Sequence, residues 1–375
     1  MVTLGLIGCG VISDSYLTGA ARSALVKMKS VADLRPEAAQ AQAEKYGVQA
    51  VSIDALLADP EIDIVINLTV PMAHAEVDLR ILAAGKHVYS EKPLAASFAD
   101  GKAVLAEAAK RGLRVGCAPD TFLGAGHQAC RAAIDSGRIG RVVNGIATVM
   151  SHGMEHWHPN PDFFFQPGGG PILDLGVYYV TNLVQLLGPV ASVTALAGKG
   201  SETRTITSEP RNGEVIPVNV NTTVNGLLSF ASGAQIVLST SWDVWKHNRL
   251  PFELYGSEGS MLVPDPNFFG GAPRISERAG DWQDLSLDGH PFGAANRTLR
   301  DGREVADYRI IGLLDMACAI AANRPHRCSG ELSLHVLEVL EAFDKSAAEG
   351  RHIPITTQCV QPAAVPLGND EAVFK

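Results

Sequence analysis

A glycine pattern near the start of the chain constrains the fold more than any other feature. A buried, strand-like segment from Thr3 to Gly8 runs directly into Gly8-Cys9-Gly10-Val11-Ile12-Ser13, and helical spacing follows it. In the pattern G-x-G-x-x-G, the first glycine permits a tight turn and the second lets the backbone approach a pyrophosphate. The third position needs a small residue, which Ser13 supplies, and the helix that follows offers N–H groups to phosphates. The pattern therefore predicts a dinucleotide site formed by Gly8, Gly10, Val11 and Ile12.

Strand-like and helical segments alternate along the first third of the chain. This alternation, at roughly ten to fifteen residues a step, predicts parallel strands covered by helices on both faces. A length of 375 residues favours two domains over one core. We therefore predict an α/β protein in which residues 1–121 form an NAD(P)-binding Rossmann domain with a doubly wound parallel sheet. Residues 122–375 are predicted to form a domain for substrate binding and oligomerisation, with C-terminal helices that can pack back on the first domain.

The second predicted strand ends at Asp33, which stands at the spacing expected for a carboxylate that binds the adenosine ribose. A carboxylate in that place bonds the ribose hydroxyls and repels a 2′-phosphate. Asp33 and Leu34 are therefore predicted cofactor residues, and NAD is predicted in preference to NADP. Arg35 follows at once, and a cation there keeps NADP open as the alternative.

Ligands of open α/β sheets bind beyond the carboxyl ends of the strands, so the residues that follow each strand are further candidates. Thr69 and Pro71 follow one predicted strand and belong near the nicotinamide, together with His74, for which a structural role at a helix start is the favoured alternative. Glu91 and Lys92 follow the next strand, where Pro93 biases Lys92 away from a helical conformation. The segment "GCAPDTF" follows the last strand and adds Asp120 as a candidate for substrate contact.

The remainder of the chain changes character. Alternating runs such as "VNVNTTVNGLLSF" and "AQIVLSTSWDV" predict a large open, mostly antiparallel sheet, which makes this an α/β domain of a different kind. The segment from Pro171 to Pro189 has helical spacing, and on it Asp174 and Tyr178 are four residues apart and share a face. An aspartate on a core-facing helix needs a partner. The pair therefore either satisfies itself or forms one wall of a site.

A loop rich in aromatic residues and histidine precedes that helix, from Met154 to Gly170. Two histidines four residues apart bind one metal only on a helix, and the "HPNP" sequence opposes a helix, so no metal site is predicted. A substrate loop is predicted instead, in which an indole can stack on the apolar face of a sugar ring. The candidate residues for that contact are His156, Trp157 and, further along the chain, Trp242.

The composition of the chain argues against several classes of binding partner. The net charge of −9 comes without a dense basic patch, which argues against nucleic acid and against an anionic membrane surface. No apolar run approaches the ~20 residues of a membrane span. The N-terminus has neither the basic region nor the cleavage site of a signal peptide, and six scattered cysteines without a C-x-x-C pair suit reduced thiols. A cytoplasmic protein is therefore expected.

Several motifs together resemble the glucose-fructose oxidoreductase, inositol dehydrogenase and MocA (Gfo/Idh/MocA) family over nearly the whole chain. They are "GLIGCGVIS", "EKPLA", "GGGPILDLGVYY", "ELYGSEGSM" and "LHVLEVLEAFDKSAAEGR". In that family the lysine of the E-K-P motif and the later aspartate surround the carbon that exchanges hydride with NAD(P). A histidine usually stands four residues after the aspartate. Here Tyr178 replaces it, which resembles the tyrosine-type branch of the family.

The resemblance implies an NAD-dependent oxidoreductase of sugars, inositols or sugar derivatives that forms a homodimer or homotetramer. It assigns the chemistry to Lys92, Asp174 and Tyr178. A lysine ammonium stabilises a phenolate, so we expect Tyr178 to act as acid and base and Lys92 as its electrostatic partner, although the two roles can be exchanged. Two alternatives stay open: a redox glycosidase or lyase that recycles bound NAD, and a nucleotide-binding sensor without turnover.

Overall fold

The first part of the chain is a Rossmann unit. A computed structural model describes residues 1–299 and 302–375. Its strands are β1 (Val2–Ile7), β2 (Val26–Ala32), β3 (Gln49–Ala50), β4 (Ile64–Asn67), β5 (His87–Ser90) and β6 (Val115–Cys117). The connecting helices are α1 (Ser13–Arg22), α2 (Pro36–Tyr46), α3 (Ile53–Ala58), α4 (His74–Ala83) and α5 (Phe98–Arg111).

The six strands of this unit are all parallel and lie in the order β3-β2-β1-β4-β5-β6. The chain order reverses between β1 and β4, which lie side by side. In doubly wound sheets this switch point opens the crevice in which a dinucleotide binds. The predicted parallel sheet is therefore confirmed, and the glycine pattern after β1 lies at the mouth of that crevice.

The second part of the chain is built around a mixed sheet of nine strands. The helices are α6 (Ala125–Asp135), α7 (Pro171–Asp174), α8 (Gly176–Leu187), α9 (Ile311–Ala321) and α10 (Gly330–Glu349). The first strands are β7 (Val142–Met150), β8 (Val190–Gly198), β9 (Thr203–Thr205), β10 (Val215–Pro217), β11 (Thr223–Phe230), β12 (Gln235–Ser241) and β13 (Phe252–Gly256). The last are β14 (Gly259–Val263), β15 (Arg274–Glu277), β16 (Gln283–Asp284), β17 (Arg297–Thr298), β18 (Glu304–Val305) and β19 (Ile353–Pro354).

The large sheet has the order β16-β15-β14-β13-β7-β12-β11-β8-β19. Among the described strands of this sheet, β7 and β12 are parallel and every other neighbouring pair is antiparallel. This confirms the predicted open and mostly antiparallel sheet. Its outer face exposes Leu196, Leu227 and Val237, so apolar side chains lie uncovered on the isolated chain.

Helix α8 is the centre of the second part. All twelve of its residues are buried, as expected of a helix that is covered on every side. Tyr179 stacks on Phe252 of the large sheet, with ring centroids 4.8 Å apart. Helix α10 packs against both α8 and strand β8. Because α8 is enclosed in this way, its first turn, which carries Tyr178, has a fixed position relative to both sheets.

The end of the chain returns to the Rossmann unit. Cys117 N donates to Cys328 O at 3.0 Å, and Gly116 forms an antiparallel bridge with Ser329 just before α10. Phe98 N, at the start of α5, donates to Glu341 Oε1 at 2.6 Å. The division after residue 121 stays a prediction, since these contacts join the two parts closely. Within the described residues, no helix is both long and apolar enough to span a bilayer.

Candidate active site

The loop after β1 has the shape that the glycine pattern predicts. Gly8 has φ +102°, and a Cβ built there would lie 2.6 Å from the backbone of Leu68, which directly follows the neighbouring strand β4. A Cβ at Gly10 would meet no protein atom within 4 Å, because Gly10 faces open space. The Ser13 hydroxyl donates to Gly10 O at 2.6 Å and is wholly buried. Ser13 therefore fills the small third position and also fixes the loop in front of the N-terminus of α1.

Asp33 lies beside this loop at the end of β2. Its carboxylate accepts from Cys9 N at 2.7 Å and from Arg35 N at 2.8 Å. The Arg35 side chain is mostly exposed, with Nε 3.8 Å from Asp33 Oδ1. The two backbone donors fix the carboxylate at the crevice, where it can meet ribose hydroxyls. The residues present thus fit the adenosine end of an NAD molecule.

Four exposed apolar side chains surround the crevice. Val11, Leu34, Val70 and Met72 are 92%, 88%, 64% and 67% exposed. They follow β1, β2 and β4, the three strands at the switch point of the sheet. Apolar groups exposed around a cleft are typical of surfaces that cover the rings of a ligand. Val11 and Leu34, which the sequence assigned to the cofactor, therefore face the side of the sheet on which it would bind.

A substitution at Asp33 tests the cofactor preference. We expect Asp33→Ser to weaken NAD⁺ binding about tenfold or more and to improve NADP⁺ binding, because the charge that repels a 2′-phosphate is lost while Arg35 remains. Fluorescence titration of each cofactor into the purified protein measures the change. Asp54→Ser, at an exposed surface carboxylate, is the control. An unchanged ratio of the two affinities in Asp33→Ser would remove Asp33 from the site.

A buried network of hydrogen bonds fixes the loop after β4. Thr69 donates from its backbone N–H and from its hydroxyl to Asn67 Oδ1, at 3.1 and 2.7 Å. His74 is 1% exposed, and its two ring nitrogens lie 2.6 Å from Pro93 O and 2.9 Å from Thr69 O. Burial lowers the pKa of His74. His74 therefore joins the Thr69 loop to the Lys92 turn and presents no atom to a cofactor, which corrects its assignment as a cofactor residue. Pro71 begins the short turn before α4.

Lys92, Asp174 and Tyr178 meet at the carboxyl edge of the Rossmann sheet. Lys92 Nζ lies 2.8 Å from Asp174 Oδ1 and 3.0 Å from Asp174 O. The same ammonium is 5.1 Å from the centroid of the Tyr178 ring. Burial disfavours the charged lysine, yet Asp174, Tyr178 and Glu91 together raise the pKa of Lys92 above its usual range. Lys92 is therefore a permanent cation at neutral pH, which makes it a poor proton acceptor.

Glu91 holds the turn that presents Lys92. Glu91 Oε2 accepts from Lys92 N at 2.9 Å, and Glu91 Oε1 accepts from the Tyr16 hydroxyl at 2.9 Å. Tyr16 is 1% exposed, and burial raises the pKa of its phenol well above the ordinary value. No local pattern predicts Tyr16, because its contact with Glu91 joins residues that are 75 positions apart. Glu91 thus acts through the position of Lys92.

Two predicted substrate contacts are buried elsewhere. Trp242 is fully buried, and the centroid of its ring lies 5.6 Å from that of the Phe165 ring. Asp120 is 3% exposed, and its Oδ2 accepts from Ile310 N and Gly312 N at 3.0 Å each. Burial raises the pKa of Asp120 to about 6. Both assignments are corrected, because Trp242 fills a core and Asp120 joins the last strand of the Rossmann sheet to the start of α9.

The aromatic loop leads directly into α7, which ends at Asp174. His156 and Trp157 are exposed. The His158 ring contacts Trp157 and Phe163 edge-on, with centroids 5.4 and 5.5 Å apart. The backbone of Phe163 lies against the glycine run before Asp174, since a Cβ at Gly169 would lie 2.6 Å from Phe163 O. Within residues 1–299 and 302–375, no three His, Cys, Asp or Glu residues are placed to hold a metal ion.

Two family models match the chain. Residues 2–118 match the model described as "Oxidoreductase family, NAD-binding Rossmann fold", and residues 127–262 match the GFO/IDH/MocA C-terminal domain. A dTDP-3,4-didehydro-2,6-dideoxy-α-D-glucose 3-reductase of Streptomyces violaceoruber is 31% identical over 69% of this chain and 72% of its own length. The inositol 2-dehydrogenase of Rhizobium meliloti is 27% identical over 94% and 99%.

Solved structures share the fold. A levoglucosan dehydrogenase in complex with NADH has a TM-score of 0.81 at 22% identity, and the match covers 95% of this chain and 99% of that one. An NAD-binding oxidoreductase from Klebsiella pneumoniae has a TM-score of 0.82, also at 22% identity and with the same coverage. At this identity the likeness establishes the architecture of both parts and their order along the chain.

Proposed function

Because the chain belongs to the oxidoreductase family that joins an NAD-binding Rossmann fold to a GFO/IDH/MocA C-terminal domain, we propose that it oxidises or reduces one carbon of a sugar, an inositol or a sugar derivative. The carbon is a secondary alcohol or ketone, or an anomeric centre. One observation carries this proposal: the ammonium of Lys92 bridges to Asp174 beside the ring of Tyr178, at the edge of the sheet where the cofactor binds.

Lys92, Asp174 and Tyr178 each have a separate role in the proposed reaction. When bound, NAD⁺ accepts the hydride, with its two electrons, that leaves the alcohol carbon. The proton of the alcohol oxygen passes to the phenolate oxygen of Tyr178, which becomes a neutral phenol, and the substrate becomes a carbonyl compound. Lys92 stabilises the phenolate before this transfer and the negative charge that develops on the substrate oxygen during it. Asp174 fixes the lysine. A lysine with a raised pKa suits this electrostatic role, so the exchange of roles between Lys92 and Tyr178 is the weaker assignment.

The aromatic loop supports a hydroxyl-rich ring as the substrate. Trp157 and Phe163 are 45% and 48% exposed, and His158 lies between them. Aromatic faces stack on the apolar face of a sugar ring, while polar groups nearby bond its hydroxyls. The named activities of the relatives are reductases and dehydrogenases of sugars and inositol, which agrees with this class. His156 and Trp157 stay proposed substrate residues on these grounds.

We further propose a homodimer or homotetramer that assembles through the outer face of the large sheet. Leu227 of β11 pairs with Val237 of β12, so the two exposed side chains are neighbours on that face. A double substitution, Leu227→Asp with Val237→Asp, should give a monomer, because two buried carboxylates would oppose the interface. Light scattering after gel filtration measures the mass, and Val11→Asp, away from this sheet, is the control. An oligomer of unchanged mass would exclude this face.

The cell compartment is proposed to be the cytoplasm. All six cysteines are free thiols, as is usual for proteins of a reducing compartment.

The proposed activity is tested with the purified protein, NAD⁺ or NADP⁺, and a panel of inositols, aldoses and glycosides. The expected result is absorbance of reduced nicotinamide with one sugar class, lost in Lys92→Met and Tyr178→Phe. Cleavage of a glycoside without net NADH would favour the redox glycosidase. Bound NAD without turnover of any panel member would favour a nucleotide-binding sensor and contradict the proposal.

A further inference from the structure

The aromatic loop, Met154 to Gly170, shares a small apolar core with the hairpin of β9 and β10. The two strands pair in antiparallel fashion and form a sheet of their own beside the large one. The core is made of side chains from the loop, from the hairpin and its following residue, and from the end of β12: Met154, Phe164, Phe165, Ile206, Ile216, Val218 and Trp242. On the same loop Trp157 and Phe163 are 45% and 48% exposed. The loop thus buries one set of apolar side chains and leaves another set uncovered.

Hydrogen bonds from the hairpin hold the first half of the loop. Ser208 N donates to Glu155 O at 3.2 Å, and the Ser208 hydroxyl donates to His158 O at 2.6 Å. The Arg211 guanidinium makes two bonds to the carboxylate of Asp162, and that from Nη2 to Oδ1 measures 3.1 Å. A guanidinium fork on a carboxylate fixes direction as well as distance. The backbone on both sides of Trp157 is therefore held from the hairpin.

The second half of the loop is held in the same way. Asn219, two residues after β10, donates from its backbone N–H to Phe165 O at 2.8 Å. Its side-chain amide donates to Gln166 Oε1 at 2.7 Å, and Gln166 Nε2 donates to Pro217 O at 3.1 Å. Regularly spaced bonds and a buried core are the features of a segment that stays ordered without a ligand.

Arg204 of β9 joins the hairpin and the loop to the large sheet. It is 8% exposed. Nη1 donates to Glu155 Oε1 at 3.2 Å, while Nη2 donates to Trp242 O at 3.1 Å and to the carboxylate of Asp243, just after β12. Removal of one partner from such a buried ion pair is strongly destabilising. Arg204 therefore holds the three segments together as one body, and a test of their function has to use residues at the rim.

The end of the loop joins this body to the reaction centre. Gly170 N donates to Phe164 O at 2.8 Å, and Asp174 N donates to Gly170 O at 3.0 Å. A Cβ at Gly168 would lie 3.4 Å from Sδ of Met72, one of the exposed residues around the crevice. The loop core is thus two hydrogen bonds away from Asp174, and the glycine run passes beside the crevice. The position of the loop relative to the reaction centre is therefore fixed.

We propose that the β9–β10 hairpin holds the aromatic loop as a preformed platform for the substrate ring, with Arg211 and Ser208 as positioning residues that act through the loop. The proposal rests on the proposed function and adds to it the part of the chain that sets which ring is accepted. A platform that is in place before the ligand arrives has no ordering cost at binding. Loosening it should therefore weaken the binding of the sugar more than it slows the chemical step.

The first test compares KM and kcat for the sugar or inositol that the panel identifies. In Arg211→Met both bonds to Asp162 are lost, so KM for that substrate should rise about fivefold. The kcat and the KM for the nicotinamide cofactor should stay within about twofold of wild type, because the ring platform meets neither the reacting carbon nor the cofactor. Arg211→Lys keeps the charge without the planar fork and should return part of the loss.

Two further variants separate the platform from general stability. Ser208→Ala loses the bond to His158 O, and KM for the substrate should rise about two- to threefold. Arg138→Met is the matched control, because Arg138 forms a partly exposed ion pair with Glu277 that joins the segment after α6 to β15. It should leave both KM values and kcat unchanged. An unchanged substrate KM in both Arg211→Met and Ser208→Ala, or a loss carried by kcat alone, would overturn the proposal.

Hydrogen exchange measured by mass spectrometry is a readout that needs neither cofactor nor substrate. In the unliganded wild type, peptides that cover residues 155–170 should exchange about a hundredfold slower than an unstructured chain. Exchange there should become faster in Arg211→Met and stay unchanged in Arg138→Met. Rapid exchange in the unliganded wild type would overturn the proposal, since the loop would then close on the substrate as a lid. The proposed function fails separately, if Lys92→Met or Tyr178→Phe keeps wild-type turnover.

Discussion

Replacement of Lys92 by methionine is expected to lower turnover on the order of a thousandfold, with a much smaller change in NAD⁺ affinity. The ammonium is the group that joins Asp174 to the face of Tyr178, and methionine keeps the length of the side chain without its charge. The phenolate of Tyr178 that accepts the proton, and the negative charge that develops on the substrate oxygen, would then lack a counter-charge in a largely buried site. Stopped-flow or steady-state absorbance of reduced nicotinamide measures the rate.

The control for this result is Lys102→Met, a lysine on an exposed face of α5 whose nearest aromatic contact is Phe98. It should turn over at the wild-type rate. Asp174→Asn separates charge from position, because the amide oxygen can still accept from Lys92. We expect it to lose roughly ten- to a hundredfold, between the two lysine variants. Turnover of Lys92→Met within a factor of about three of wild type would exclude Lys92 from the chemistry.

The parts of the site that the sequence predicted are those carried by local patterns. The glycine run after β1, Asp33 after β2 and the E-K-P turn after β5 each follow a strand of one parallel sheet. Topology alone then brings their carboxyl ends together. The spacing of Asp174 and Tyr178 placed both on one helical surface, and the structure adds a detail: α7 ends at Asp174 and α8 begins at Gly176. The pair lies across a break between two helices.

What the sequence did not predict depends on contacts between distant segments. From the sequence, Asp120 was interpreted as a polar residue at a strand end. In the structure, two backbone N–H groups at the start of α9 donate hydrogen bonds to its carboxylate. Trp242 belonged to a polar-aromatic run that suggested a sugar site. Its indole instead fills the core beneath the aromatic loop, because removing a large apolar ring from water stabilises the folded chain.

The buried carboxyl of Asp78 predicts a pH dependence of stability near neutrality. Asp78 is fully buried on α4, and its Oδ1 accepts from Asn67 Nδ2 at 2.7 Å and from Ser90 Oγ at 3.2 Å. Its second oxygen has no hydrogen-bond partner among the residues that the structure describes. Burial raises the pKa of Asp78 to about 7. Since Asn67 also holds the Thr69 loop, a charge on Asp78 would develop directly behind the nicotinamide end of the crevice.

The direction of this pH dependence follows from the difference between the pKa of Asp78 in the folded chain and in the unfolded chain. An unfolded aspartate ionises near pH ~3.9, whereas Asp78 in the folded protein holds its proton to about pH 7. The folded state therefore binds more protons between these values, and the contribution of Asp78 to stability is complete below pH ~4 and is lost as the pH rises through about 7. Asp78→Asn mimics the protonated acid at every pH. The free energy of unfolding of the variant relative to wild type should therefore rise by about 2–3 kcal/mol from pH 5 to pH 8.

Urea unfolding of both proteins at pH 5 and pH 8 measures this difference, and the subtraction removes the other groups that titrate in the same range. Asp54→Asn, at an exposed carboxylate on α3, should give a constant difference from wild type. A difference for Asp78→Asn that does not change with pH would mean that Asp78 is ionised in the folded protein, with water reaching its free oxygen. If the difference rises as expected, a neutral acid supports Asn67 and the Thr69 loop below about pH 7. Below that pH, Asp78 would place no negative charge behind the position at which a hydride is exchanged.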